Sequence, residues 1–311
     1  MDFHSVEISI VMAVYNGAPF LKAQVDSILA QNVTNYELII IDDASSDNSF
    51  QILQNLAKHD PRIVLYQNDK NMGFVSTFEK GIRLARGSFI ALSDQDDVWL
   101  VDHLEKLKRN IGNCSLVFSD SYMLYGKNPT QEKFSSYVNI PDLQSRYDLD
   151  VTLMFSNFVR GASSMFSSEL KASILPFPKG LKFHDHWIAF HANQSNGLKF
   201  ISDVTCQYRR HENTVTIEEK THIQKLKKFD PISFLVMLSN NKKLGKVIRV
   251  GAHPRVVAFI NSNSMVGSVY FLFFILHENY HKIFQHSNRY KYLLIIYIVS
   301  VFMLKKGKQR S

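Results

Sequence analysis

An α/β architecture on a mostly parallel, doubly wound sheet follows from two features of this chain. Over the first 120 residues, short apolar runs rich in Ile, Val and Leu alternate with helical patterns, and polar residues follow the early runs. A β-α-β-α rhythm calls for parallel strands with crossover helices, and such sheets bind their ligands at the carboxyl ends of the strands.

The strands are expected at 8–14, 36–41, 62–66, 88–92 and 116–119, and the helices at 19–31, 47–59, 74–86 and 98–111. Tyr15-Asn16-Gly17 follows the first strand and Asp42-Asp43-Ala44-Ser45-Ser46-Asp47 the second. Asn71-Met72-Gly73 lies beyond the third, and Ser93-Asp94-Gln95-Asp96-Asp97-Val98-Trp99 follows the fourth. Four polar clusters therefore converge on one edge. Residues 125–150, with Pro129, Pro141 and many polar side chains, read as an irregular connection. Arg160-Gly161-Ala162-Ser163-Ser164 then opens a new apolar segment. Lys182-Phe183-His184-Asp185-His186-Trp187 starts a helix, and 198–208 reads as a strand ending in Arg209-Arg210-His211.

The segment 94–97 carries the most chemical information. Three carboxylates in four residues at a strand end repel one another unless a cation, or a ligand that brings one, sits among them. Hard oxygen donors suit Mg²⁺ or Mn²⁺, ions usually held by one or two carboxylates plus the phosphate oxygens of a substrate. On an extended chain Asp94 and Asp96 share one face while Asp97 points elsewhere. The competing reading is a solvated acidic turn capping a helix that begins near Val98.

Composition narrows the class. With 311 residues and 45% hydrophobic content, the chain can bury one large core or two modest ones. Two cysteines, Cys114 and Cys206, are too few for a disulfide framework, and residues 1–7 lack the basic-then-apolar pattern of a signal peptide, so a reducing, cytoplasmic setting is expected. The total charge of +8 conceals a division: residues 220–311 hold 16 Lys/Arg against Asp230 and Glu278, a balance of +14 that leaves −6 for residues 1–219. In that last third, basic residues alternate with the apolar stretches 266–276 and 293–304, each shorter than the roughly 18–20 residues a bilayer span needs. An anionic membrane surface is therefore the expected partner of 220–311, through a helical region lying on the inner face of the cell membrane; the other reading is a buried C-terminal helix packed on the catalytic domain, with a solvated basic tail. No nucleic-acid reader motif is present.

The motifs at 9–17, 42–47, 71–73, 93–99, Asp185 in His-Asp-His-Trp, and Tyr208-Arg209-Arg210-His211 stand in an order that resembles the bacterial family 2 glycosyltransferases of GT-A fold, in particular the rhamnosyltransferase-like branch. The likeness covers roughly residues 6–215, and Ala44 departs from it where glycine is more usual. It implies a catalytic domain over 1–219, with a nucleotide-sugar half at 1–120 and an acceptor half at 121–219. By the same resemblance Ala13 and Tyr15 line the base pocket, Asp42 accepts a hydrogen bond from the base, and Asn71 and Gly73 border the donor. Asp94 serves ribose or metal, while Asp96 and His211 hold the ion. The resemblance further implies an inverting displacement with Asp185 as general base, Trp187 as a platform for the acceptor sugar, a deoxythymidine-diphosphate rhamnose or uridine-diphosphate hexose donor, and a saccharide acceptor, lipid-linked, in polysaccharide assembly. Each residue has a plainer role to set beside this. Asp47 suits a helix cap, Gly73 a turn, Trp187 the core, and the His184/His186/His191 group makes a poor zinc site because i and i+2 on a helix point apart. A non-catalytic nucleotide-sugar binder or scaffold on the same fold is the alternative function.

Overall fold

In the computed structural model the described residues are 6–126, 128–136, 140, 149, 153 and 157–211, and they belong to one compact unit. The expected helical, membrane-associating region 220–311 and the boundary at 219 lie outside the described residues.

The chain begins with β1 (Ile8–Val14), α1 (Ala18–Leu29), β2 (Tyr36–Asp42), α2 (Ser49–His59), β3 (Ile63–Gln67), α3 (Phe74–Leu84) and β4 (Phe89–Ser93). The four strands pair in parallel, in the order β3-β2-β1-β4, with Met12 opposite both Ile40 and Ser93, and Val14 opposite Asp42. Every residue of β2 is buried, as a strand covered on both faces must be. On one face Ile8, Ile10 and Met12 pack with Leu21, Val25 and Ile28 of α1 and Leu53 of α2. Each of these large side chains contributes about 1.5–3 kcal/mol by leaving water. On the other face α3 lies close to β1: a Cβ on Gly81 would sit 2.3 Å from Val11 Cγ1.

The second half departs from the parallel pattern. β5 (Val98–Trp99), α4 (His103–Ile111), β6 (Leu116–Tyr125), β7 (Asn128–Lys133), β8 (Ser164–Ser167), short α5 (Lys171–Ile174), α6 (His184–Gln194) and β9 (Leu198–Arg210) complete the described elements. The order continues β4-β8-β6-β9-β5, with β7 beside β6. β8 runs antiparallel to β4 and β6, and β5 antiparallel to β9, while β6 and β9 are parallel. The sheet is thus mixed, because β8 follows the segment 157–163, which already lies at the carboxyl edge near Asp185, and runs back from it without a crossover.

Two local expectations are corrected. The helix expected from Val98 begins only at His103, since Val98 and Trp99 pair with Gln207 and Cys206. The expected irregular stretch contains β7 and a 3₁₀ turn (Phe134–Ser136), pinned where Asp120 accepts hydrogen bonds from the Ser135 amide at 3.0 Å and hydroxyl at 2.6 Å. Among the described residues no helix is long and apolar enough to cross a membrane.

The tight α3–β1 approach yields a stability test. Gly81→Val must displace Val11 or the helix, and should lower the unfolding free energy by about 1–3 kcal/mol, read from the denaturant midpoint. An unchanged midpoint would show that the layers are not closely packed there.

Candidate active site

The loop after β4 sorts its three carboxylates by direction. Asp97 turns inward: it is fully buried, its Oδ2 lies 3.2 Å from the Arg160 guanidinium, and its Oδ1 accepts the Arg209 backbone N–H at 2.9 Å. Arg160 also donates to Ser121 Oγ at 2.9 Å and stacks on the Tyr208 ring at 3.6 Å. Arg209 reaches back to the backbone carbonyl of Asp96 at 2.6 Å and to that of Gly126. The end of β9 is thereby bonded to the acidic loop.

Asp96 and His211, 115 residues apart, meet through Asp96 Oδ2 and His211 Nε2 at 2.7 Å, with the imidazole stacked on Phe20 at 4.6 Å. A carboxylate and an imidazole side by side fit a divalent cation that keeps further positions for phosphate oxygens and water. Among the described residues no group of three or more His, Cys, Asp or Glu forms a metal cage, so such an ion needs ligands from a substrate.

Asp94 feels the charges of both Asp96 and Asp185. Burial, then the charges of Asp97 and Asp96, raise its carboxyl well above the usual range; Arg160 opposes the shift and Asp185 adds to it. Asp185 sits in the first turn of α6, with Oδ1 accepting from the His186 N–H at 2.7 Å and Asn157 Nδ2 at 3.0 Å, and Oδ2 from the Gly161 N–H at 3.4 Å. Burial raises it to about 6 in spite of these donors and of Arg160.

Two further loops complete the edge. Asp42 is fully buried at the end of β2; its Oδ2 accepts from Ser45 N–H at 3.1 Å and Gln67 Nε2 at 3.2 Å, and its Oδ1 has no hydrogen-bond partner. Asp43 accepts from the amides of Met72 and Gly73, each at 2.8 Å, and from Asn68 Nδ2 at 2.7 Å, while Asn71 Oδ1 also accepts the Gly73 N–H at 2.9 Å. Gly73 has φ +80°, which explains a glycine at this turn. Ala44 takes φ +58°, so the alanine occupies the left-handed conformation that glycine would adopt at less cost. Ala13 is half-buried, and exposed Tyr15 exchanges two backbone hydrogen bonds with the Gln95 amide, at 2.9 and 3.2 Å.

The structure therefore gathers Asp94, Asp96, His211 and Asp185 at one cluster and sets Asp42, Asn71, Gly73, Ala13 and Tyr15 along the adjoining strand ends. Trp187 is a correction. It is fully buried, its Nε1 donates to the Ile174 carbonyl at 3.0 Å, and no ring face remains for a sugar. His184 stacks on Phe78, His186 bonds the Leu153 carbonyl and His191 packs edge-on to Trp187, so the three imidazoles face different neighbours. Sequence reasoning passed over Asp43, Gln95, Asn157 and the Asp97–Arg160 pair. Alternation along an extended chain, which turns Asp43 away from Asp42 and Asp97 away from Asp96, was the available signal.

The raised Asp185 has a measurable cost. A carboxyl shifted upward on folding gives stability that is full below its ordinary value near 3.9 and lost as pH rises through about 6. Asp185→Asn, neutral throughout, should gain on the parent between pH 4 and 7, by up to about 3 kcal/mol at pH 7. Burial holds His103 and His184 down to about 3 and His186 to about 4, which acts in the opposite sense in both proteins, so the difference between their melting curves is the quantity to follow. A difference independent of pH would contradict the burial of that charge.

A parallel half continued by a mixed second half, with acidic loops at the carboxyl edge, is the GT-A fold. Residues 9–167 match the family model "Glycosyl transferase family 2", and the chain belongs to that family. A relative from Escherichia coli, the UDP-Glc:α-D-GlcNAc-diphosphoundecaprenol β-1,3-glucosyltransferase WfgD, is 34% identical over 138 residues, 41% of this chain and 53% of that one. Among solved structures, S. aureus TarS 1-349 with UDP-GlcNAc superposes with TM-score 0.57 at 15% identity, over 86% of this chain and 78% of that one. The mannosyltransferase PcManGT from Pyrobaculum calidifontis with GDP-Man and Mn²⁺ gives 0.53 at 15%, over 96% and 87%. At such identities the structural likeness is one of fold.

Proposed function

We propose that this glycosyltransferase moves a hexosyl or rhamnosyl group, with inversion, from a uridine or deoxythymidine diphosphate donor to a saccharide hydroxyl, with Mg²⁺ or Mn²⁺ bound at Asp96 and His211. The carrying observation is that Asp94, the Asp96–His211 pair and Asp185 form one electrostatic cluster at the strand ends. Asp185 takes the proton of the acceptor hydroxyl as its oxygen bonds to the anomeric carbon, while the anomeric carbon–oxygen bond breaks and its electron pair leaves on the diphosphate. A base raised to about 6 is ionised near neutrality yet still basic enough to accept that proton. The divalent ion, when bound, offsets the negative charge that develops on the departing diphosphate. Asp94 orients the ribose or the ion. Asp42 receives an N–H of the base at Oδ2 once the exposed Gln67 side chain yields, and Ala13 and Tyr15 flank that base, with Asn71 and Gly73 at the donor rim.

The acceptor is a lipid-linked saccharide in surface polysaccharide assembly, and 220–311 holds the enzyme on the cytoplasmic face of an anionic membrane. The activity of the Escherichia coli relative, which acts on a diphosphoundecaprenol-linked sugar, and the basic, apolar composition of 220–311 both support this reading.

Thermal shift against uridine-, deoxythymidine- and guanosine-diphosphate sugars, each with and without Mn²⁺, tests the donor site. One of the first two should raise the melting temperature only with the ion, and Asp96→Ala should lose that dependence. Stabilisation by a donor with no turnover, in the presence of lipid-linked acceptors, would instead identify a binding or scaffold protein. Stabilisation untouched by chelator would remove the metal from the account.

A further inference from the structure

The segment 157–161 touches both halves of the acidic cluster. Asn157 Nδ2 donates to Asp185 Oδ1 at 3.0 Å, and the Gly161 N–H donates to Asp185 Oδ2 at 3.4 Å. Between them, Arg160 pairs with Asp97 at 3.2 Å and with Ser121 at 2.9 Å. Five consecutive residues thus bond Asp185 on α6 and, at the same time, the loop that follows β4. Asn157 is itself fixed, its Oδ1 accepting the Val159 N–H at 3.2 Å, so its amide presents the N–H end to Asp185. Gly161 leaves little room beside that carboxylate: a Cβ there would lie 3.3 Å from His184 Nε2 and 3.5 Å from Asp185 Cβ.

We propose that Asn157 is the positioning residue of Asp185, and that the strap it begins sets the placement of the proton-accepting carboxylate relative to the acidic loop that holds the donor. This deepens the reading of Asp185 as general base and rests on it. With Asn157 on Oδ1 and the two backbone amides dividing between Oδ1 and Oδ2, the carboxylate is bonded through both oxygens and cannot rotate freely about its own bond. Arg160, anchored on Asp97, prevents the strap from sliding along β6. The charged and titratable groups around Asp185 are Asp94, itself under the charges of Asp96 and Asp97, from the loop after β4; Arg160 from the strap; and His184 and His186 on its own helix. Asn157 is the neutral side-chain donor among them. Its removal should raise the carboxyl as well as loosen it.

The test uses the whole chain and the slow hydrolysis of UDP-glucose and dTDP-rhamnose with water as acceptor, counted as released nucleoside diphosphate. Asn157→Ala should lower kcat about 10- to 100-fold with donor KM within about twofold of the parent, and should move the acid limb of the pH profile upward. Asn157→Asp, nearly the same shape, should move that limb further up by placing a second negative charge beside the first. An unchanged kcat and limb in Asn157→Ala would overturn the proposal. If Asp185→Asn hydrolyses donor at the parental rate, the base assignment itself has failed; if Asp185→Asn is inactive while Asn157→Ala is normal, only the positioning role has failed. A second readout needs no turnover: carboxyl ¹³C titration of Asp185, assigned by its loss in Asp185→Asn, should shift upward in both Asn157 variants, and an unmoved titration would also refute the role.

Discussion

Like-charge repulsion at the end of β4 is the constraint that the surrounding structure answers. Two unit charges about 4 Å apart near a protein surface interact by about 4 kcal/mol, and Asp94 feels the like charges of Asp97, Asp96 and Asp185 together. Arg160 neutralises Asp97 from within, Arg209 ties the loop backbone, and His211 meets Asp96. These partners leave Asp94 and Asp185 uncompensated by any direct cation contact among the described residues, and both carboxyls sit above their ordinary range. A site that keeps such unrelieved charge gives up stability for function, as active sites commonly do.

The mixed sheet supplies the rigidity this demands. β1 and β2 end in register, Val14 opposite Asp42, and β4 ends at Ser93 opposite Met12, so Tyr15, Asp42 and Asp94 lie along one edge without long connections of their own. β9 then brings Arg209 and His211 to that edge from the far end of the described chain, and its parallel pairing with β6 sets how far they reach. Gln95 and Asp43 stitch neighbouring loops together through backbone hydrogen bonds. The site is therefore a property of the sheet register as much as of its acidic residues.

Much of this was legible in the chain and some was not, for physical reasons. The parallel half could be read to within a residue or two because residues 10–14 and 38–41 are continuous apolar runs, the mark of strands covered on both faces. β7, Asn-Pro-Thr-Gln-Glu-Lys, shows no apolar alternation, because it is an exposed strand beside β6. β5 consists of two residues whose state depends on Gln207 and Cys206, more than a hundred positions away, and local pattern carries no trace of such pairing. Asp42, Asp94, Asp96, Asp185 and His211 could be singled out by residue type and order, whereas the inward turn of Asp97 onto Arg160 and the hold of Asn157 on Asp185 come from tertiary contacts. Trp187 illustrates the same limit in reverse: an aromatic beside an acid suits a sugar platform, but on α6 it faces the core.

The central claim is that the carboxylates at the strand ends receive a divalent cation together with a nucleoside diphosphate. Its most direct test is to follow free Mn²⁺ by electron paramagnetic resonance while titrating the full-length protein with UDP or dTDP. The expected result is weak Mn²⁺ binding to the free protein and much tighter binding of one ion when the nucleotide is present, beyond what the nucleotide binds alone. Mn²⁺ uptake indifferent to either nucleotide would contradict it.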